Sequence, residues 1–372
     1  MRVLVYGFSG KILGGIETFI LNMNEHMSPN CVFDYIIDGD TCVYKERIER
    51  KGGRVFFVPC LRKNPLGYII KYLKILKEQN SKGTSIIYIQ LFSMANMLPA
   101  IFAKKIGYKV VLHAHNNGLQ SKSKVYGLIH LAGKMLTKGV DYIRFTNSSL
   151  SSSFMFGEGV KSELIYNAID TQQFSFNPEI RKAVREEQRT NNKVVIGFVG
   201  RFSPQKNPIF MLKIFAELVK KIENCELWIV GEGVMKDEME AEVEKLGIVA
   251  SIKWLGRRND VNRLMMGMDL LLQPSIFEGL GIVLIEAQAT GLPVVASEGV
   301  IPVEAAATPL IKFVNLEDST ITWANVCISH LKISNQGERE QIAKNFPKSF
   351  CISQEAPRLE NLFKELRSGQ TL

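Results

Sequence analysis

The sequence predicts an α/β protein made of two doubly wound, Rossmann-like domains in tandem. Three observations carry that prediction. Short β-branched runs alternate with amphipathic helical patterns twice over, which argues for parallel sheets covered by helices. A polar, charge-rich break at 167–192, with Pro178 and the run IRKAVREEQRTNNK, separates the two alternating series. At 372 residues the chain also exceeds what one hydrophobic core usually supports.

In the first series Arg2–Tyr6 reads as a strand, followed by the turn GFSGKILGG and a helix from Glu17 to about Met27. Val32–Ile37, Arg54–Val58, Ser85–Gln90, Lys109–His113 and Tyr142–Thr146 are further strands, with helical patterns at Tyr68–Lys77 and Met94–Lys105 among them. The second series starts at Val194 with VVIGFVG and continues through helix 208–221, LWIVG, helix 235–246, IKWLG and a short helix near 261–266. It ends on a strand at Leu270–Leu272, a helix containing Glu286, and a strand at Pro293–Ala296. The expected division is therefore 1–175, 176–355 and a closing helix at 356–372 that packs on either domain.

Composition narrows the class of protein. Hydrophobic residues make up 46% and charged residues 22%, as in globular chains. Six cysteines lie scattered without a C-x-x-C spacing, which suits reduced thiols and a cytoplasmic setting. The apolar part of the N-terminus is too short for a signal peptide. The charge-free run Gly83–Ala103 is broken by Gln90, Ser93, Asn96 and Pro99, so it reads as a strand and a helix start, not a membrane span. The net charge of +9 sits in the first half: residues 1–178 hold 22 Lys/Arg against 12 Asp/Glu. That surplus suits anionic lipid, a phosphorylated acceptor or nucleic acid, or equally an ordinary solvated face. IIKYLKILK (69–77) is the segment expected to lie along lipid, or else to pack on the sheet as an amphipathic helix.

Chemistry concentrates at the Gly-rich strand ends. In open α/β sheets ligands bind beyond the C-terminal strand ends, and two such domains facing each other form a cleft. The segment QPSIFEGLGIVLIEAQATGLPVVAS (273–297) sets Glu278 before a helix N-terminus and Glu286 inside an otherwise apolar helix. The helix start offers N–H groups and a positive dipole end to a diphosphate, while carboxylates suit sugar hydroxyls. Buried Glu286 needs a ligand or a neighbour to compensate it. VGRFSPQKN places Arg201 and Lys206 just past a strand, two cations suited to a diphosphate leaving group. Gly14-Gly15, Gly200, Gly231, Gly233, Gly279 and Gly281 allow close backbone approach, although Gly14-Gly15 also suits a plain turn and lacks nicotinamide-type spacing. His113 and His115 share a strand face and suit contacts with a sugar; no acidic or Cys partner stands nearby to complete a metal site. Asp38-Gly39-Asp40 reads as an acidic turn more than as a D-x-D metal motif.

These residues also form a family pattern. GGIETFILN (14–22), HAHNN (113–117), YNAID (166–170), VGRFSPQKN (199–207), IVGEG (229–233), WLGRRNDV (254–261) and 274–297 run along nearly the whole chain. In that order, with E-x7-E and R-x4-K, the chain resembles the retaining family-4 glycosyltransferases of GT-B fold, and most of all the bacterial exopolysaccharide and capsule group. The resemblance implies that Arg201 and Lys206 hold a donor diphosphate, Glu286 the ribose hydroxyls and Glu278 the transferred sugar. Backbone groups of Gly279, Leu280, Gly281 and Ile282 would contact sugar and phosphate, with Gly14-Gly15 closing from the other domain. His115, ahead of His113, would sit near the reacting sugar, and Gly256, Arg257 and Arg258 near the base. It further implies a metal-independent transfer without a cofactor, from a nucleotide-sugar to a saccharide acceptor, lipid-linked or free, at the inner face of the cell membrane. Two other readings compete: a non-hydrolysing nucleotide-sugar epimerase of the same architecture, and a non-catalytic membrane or nucleic-acid adaptor suggested by the pI of 9.1. The donor-type constellation speaks against the adaptor and against nucleic acid as a partner.

Overall fold

The computed structural model describes residues 1–11, 15–119, 123–332 and 336–370. Among these, β1 (Arg2–Tyr6), β2 (Val32–Asp38), β3 (Val55–Val58), β4 (Ile86–Leu91), β5 (Lys109–Ala114), β6 (Ile143–Thr146) and β7 (Glu163–Leu164) form one parallel sheet. Its order is β3-β2-β1-β4-β5-β6-β7. A second parallel sheet holds β8 (Val194–Val199), β9 (Cys225–Val230), β10 (Ile252–Gly256), β11 (Leu270–Gln273), β12 (Val294–Ser297) and β13 (Ile311–Val314), in the order β10-β9-β8-β11-β12-β13. Each order reverses direction once, between β1 and β4 and between β8 and β11. Such a reversal leaves the connections on either side diverging and opens a crevice at the strand ends.

The chain divides into a first unit, Met1–Ile169 with Cys351–Leu372, and a second, Asp170–Phe350. The boundaries expected near 175 and 355 thus shift to 169/170 and 350/351. The physical reason is a parallel bridge between Ile169 and Cys351, with the Ile352 N–H donating to the Ile169 carbonyl at 2.9 Å. The closing helix starts earlier than expected, spans Ile352–Ser368 and belongs to the first unit. Its Ile352, Ala356, Leu359, Phe363 and Leu366 repeat at helical spacing and join the core formed by β1, β2 and β4. Glu360 accepts from the Ser28 N–H and hydroxyl at 2.7 Å each, and Glu355 from the Tyr166 N–H at 2.9 Å, so its two buried carboxylates are satisfied.

Helix Pro65–Ser81 covers the 69–77 segment. It buries Tyr68, Tyr72, Ile75 and Leu76 and leaves Lys71, Lys74 and Lys77 exposed. The apolar face of this segment is packed within the unit, so it is not the face that would meet lipid. The sequence pattern placed no element at Lys124–Thr137, a helix in the structure, and none at Thr320–His330, Gln336–Lys344 or β13. All six cysteines are free, and among the described residues no helix is long and apolar enough to cross a membrane.

Candidate functional site

In the second unit the loops leaving β8 and β11, the two strands at the reversal, carry both halves of the sequence motif. β8 ends at Val199, and Gly200, exposed Arg201 and a short turn at Pro204–Lys206 follow. Asn207 then takes a left-handed conformation (φ 52°) and helix Pro208–Val219 begins. The turn is tied to the β11 loop by two hydrogen bonds. The Ile276 N–H donates to the Gln205 carbonyl at 2.8 Å, and the Gln205 amide donates to the Phe277 carbonyl at 3.1 Å. This brings the Lys206 ammonium 2.5 Å from a Glu278 carboxylate oxygen. Ser275 donates to the same oxygen at 2.7 Å. With Glu278 only 6% exposed, the ion pair and the hydroxyl together offset its desolvation.

Glu286 is the counter-example. It stands on helix Ile282–Ala289, partly buried, and no hydrogen-bond partner is present for it among the described residues. Desolvation pushes its carboxyl up to about 8, against the opposing charge of Lys206. Near neutral pH the carboxyl therefore keeps its proton in the absence of a ligand, and hydrogen-bond donors brought by a ligand would favour its charged, accepting form. The helix opens at Gly281, left-handed at φ 80°, between buried Leu280 and half-buried Ile282.

Two more strand-end loops support this corner. The Gly231 N–H donates to the Gly256 carbonyl at 2.8 Å, and the Gly200 N–H to the Val230 carbonyl at 3.0 Å. At Gly231 (φ 139°) a Cβ would lie 2.0 Å from the Gly200 carbonyl oxygen, so β8 and β9 meet here backbone to backbone. Gly256, the last residue of β10, and Arg257 just past it are exposed; Arg257 faces Glu232 at 3.5 Å, and Arg258 pairs with Asp260 at 2.7 Å.

In the first unit His113 and His115 stand at the end of β5 with ring centroids 4.0 Å apart. His113 is fully enclosed, hydrogen-bonded through Nδ1 to the Tyr88 hydroxyl and edge-on to Phe19 and Phe145. It is a core residue, which corrects the expectation that both rings are presented to a sugar. His115 donates through its Nε2–H to Gln90 Oε1 at 2.7 Å, while its Nδ1 has no partner. Beside it, Gln90 Nε2 and Asn116 Nδ2 are also buried and unpartnered. Burial drives the His115 ring down to about 3 and His113 well below the ordinary range, so both are neutral near pH 7. Gly15 is the exposed first residue of helix Gly15–His26; Gly14 lies outside the described residues. Asp38 accepts from the Tyr6 hydroxyl at 3.3 Å, and among the described residues no cluster of three His, Cys, Asp or Glu is placed to hold a metal.

Sequence reasoning missed four positioning residues. Ser275 and Gln205 act on Glu278 and its loop, and Tyr88 and Gln90 on the histidines. Gln90, a lone polar residue closing the apolar run SIIYIQL, was the readable signal; Ser275 gave none apart from its place three residues before Glu278.

Residues 179–314, which contain the whole of this corner, match the family model for glycosyl transferases group 1. Over those residues the chain is similar to the group 1 glycosyltransferases. The chain is similar to a Bacillus subtilis protein named as the glycosyltransferase EpsF, 29% identical over 92% of this chain and 90% of that one. It is 25% identical, over 66% of each chain, to an Escherichia coli UDP-Gal:alpha-D-GlcNAc-diphosphoundecaprenol alpha-1,3-galactosyltransferase. Anabaena HepE, solved with UDP and glucose, shares the fold at a TM-score of 0.78 and 18% identity, covering 98% of this chain and all of HepE. The fold of this glycosyltransferase is therefore the GT-B type, with two parallel-sheet Rossmann-like units.

Proposed function

We propose that this glycosyltransferase transfers a hexose-type sugar, with retention of configuration, from a nucleotide-diphosphate sugar to a polyprenyl-diphosphate-linked saccharide in exopolysaccharide or capsule synthesis. The observation that carries it is the β8/β11 corner: paired Lys206–Glu278 beside unpaired Glu286 and exposed Arg201. The E. coli relative, whose name specifies a UDP-sugar donor and a diphosphoundecaprenol-linked acceptor, supports UDP and a lipid-linked acceptor here.

In this reading the second unit binds the donor. Arg201 and Lys206 neutralise the diphosphate as the bond from sugar carbon to phosphate oxygen breaks. Glu286 accepts hydrogen bonds from the ribose hydroxyls, and Glu278 from the transferred sugar. Backbone N–H groups of Gly279–Ile282 face sugar and phosphate, Gly200 and Gly231 let the ligand approach the strand ends, and Gly256 and Arg257 border the base. The acceptor hydroxyl attacks from the face the leaving group vacates, and its proton passes to a diphosphate oxygen, so no carboxylate nucleophile or metal is required. The first unit takes the acceptor; there His115, a neutral ring whose Nδ1 has no partner, accepts a hydrogen bond from a sugar hydroxyl. The enzyme works at the inner face of the cell membrane.

A panel of nucleotide-sugars and nucleotide diphosphates tests this through ligand-induced rises in melting temperature. UDP and one UDP-sugar should stabilise the wild type. If Lys206→Ala and Glu286→Ala bind the same ligand as tightly as wild type, the donor-site assignment is wrong. Incubating the donor alone separates transfer from epimerisation: slow nucleotide release supports transfer, and an epimeric nucleotide-sugar the alternative.

A further inference from the structure

Helix Lys124–Thr137 is packed inside out. Val125, Leu128, Ile129, Leu131, Met135 and Leu136 are between 46% and 70% exposed, whereas the buried positions are His130, Gly133 and Thr137. At 100° per residue the six apolar side chains fall on one continuous arc, and only Lys124, at the helix start, interrupts it. The helix cannot roll to bury this arc. A Cβ at Gly133 would lie 1.8 Å from the Met94 carbonyl oxygen, so only glycine fits there. The Met94 N–H donates to His130 Nδ1 at 3.1 Å, and the His130 ring stacks on Phe154 at 4.7 Å. Lys134 is fixed to the Phe154 carbonyl at 2.8 Å. The polar and small residues are thus the ones locked inward.

Charge indicates what covers the arc. From Glu78 to Asp141 the chain has no acidic residue, and eight lysines lie between them. Lys124 and Lys138 bracket the helix, both exposed. An apolar arc with Lys124 and Lys138 at its two ends, in a stretch of sequence free of acidic residues, matches an anionic lipid surface: acyl chains for the arc, head-group phosphates for the ammonium groups. We infer that helix 124–137 docks this unit on an anionic bilayer, lying in the interface without crossing it. The 14-residue helix is too short to span a bilayer. The inference rests on the proposed membrane-borne acceptor and names the surface that would bring the enzyme to it.

Vesicle co-sedimentation of the full chain, without donor or acceptor, tests it separately from the transfer reaction. Wild type should pellet with phosphatidylglycerol-containing vesicles and much less with phosphatidylcholine alone. Leu128→Ser with Met135→Ser should weaken that binding by about tenfold or more, and Lys124→Glu with Lys138→Glu should remove its dependence on anionic lipid. Since all four side chains point outward, melting temperature and UDP binding should stay at wild-type values. The charge pair keeps the test valid should the serine pair disturb folding. Failure of wild type to bind phosphatidylglycerol vesicles, or full binding by both variants, overturns the inference. A concentration-dependent dimer that Leu128→Ser with Met135→Ser turns into monomer also overturns it, because the arc would then cover a second copy. Sugar transfer to a soluble acceptor analogue should be unchanged in either variant, so loss of docking and loss of the donor site read out differently.

Discussion

Both units bury ionisable groups at the C-terminal ends of central strands, and they treat them in opposite ways. In the second unit Glu278 keeps a cation at 2.5 Å and a hydroxyl at 2.7 Å. In the first, His113 and His115 have aromatic rings, Tyr88 and Gln90 around them, and burial strips their charge. Charge is kept where a diphosphate and its hydroxyls would be held. It is removed where a ring has only to offer or accept a hydrogen bond. Glu286 belongs to the charged unit but is desolvated like the histidines, and a bound ligand is what would resolve that conflict.

Removing the cation breaks the comparison most severely. Lys206→Ala takes away a diphosphate contact and leaves Glu278 with Ser275 alone. We expect kcat/KM for sugar transfer to fall by about 10²–10³. Urea unfolding should show a loss of about 3 kcal/mol, as for other broken buried pairs. Ser275→Ala, which leaves the ion pair in place, should cost only about 1 kcal/mol. Equal losses from the two variants would mean that Lys206 does not hold Glu278 in solution.

Glu286→Gln sharpens the comparison by separating binding from stability. The amide keeps the shape but loses the charge-assisted hydrogen bonds, so UDP-sugar affinity should drop by about tenfold. Stability moves the other way. The folded carboxyl, at about 8, lies above its ordinary value of 4.5, so the folded state holds the proton more tightly than the unfolded chain. The wild type therefore loses stability as pH rises from about 4.5 to 8. Gln carries no proton to lose, so the variant should melt progressively higher than wild type across that range in the absence of ligand. A difference in melting temperature that does not change with pH would show that Glu286 is already solvated or paired.

Much of this was legible from sequence, and the exceptions share a cause. Period-two and period-3.6 patterns located β1, β2, β5 and β8 and most covering helices because their apolar faces are buried inside their own unit. The E-x7-E and R-x4-K spacings located the corner because the loops leaving β8 and β11 are short and adjacent. Helix 124–137 carries an apolar arc at helical spacing, a pattern that signals a helix; what the pattern does not carry is the direction of the arc, which faces outward here. The closing helix was seen but not placed: an amphipathic stripe says that something is buried, and only the Ile169–Cys351 bridge says against which unit. His113 was misjudged because sharing a strand face with His115 does not fix depth, and Phe19 and Phe145 roof the deeper ring.

The smallest effect concerns the histidines themselves. A ring held neutral by burial gives the folded state fewer protons than the unfolded chain once pH falls below the ordinary value of 6.5. Stability from His115 is therefore complete above pH 6.5 and is lost as pH falls toward about 3. By pH 5 the wild type should have lost about 1–2 kcal/mol to this group, and His115→Gln should lose less over the same interval. The kinetic consequence is an absence of titration: in the transfer rate between pH 5 and 8 no ionisation should belong to His115, because its folded-state proton leaves well below that window. A step near pH 6.5 that disappears in His115→Gln would mean that the ring is open to water and charged in the working enzyme. The contrast between a strand end that keeps its charge and one that loses it would then fail at the buried, unpartnered Nδ1 of His115.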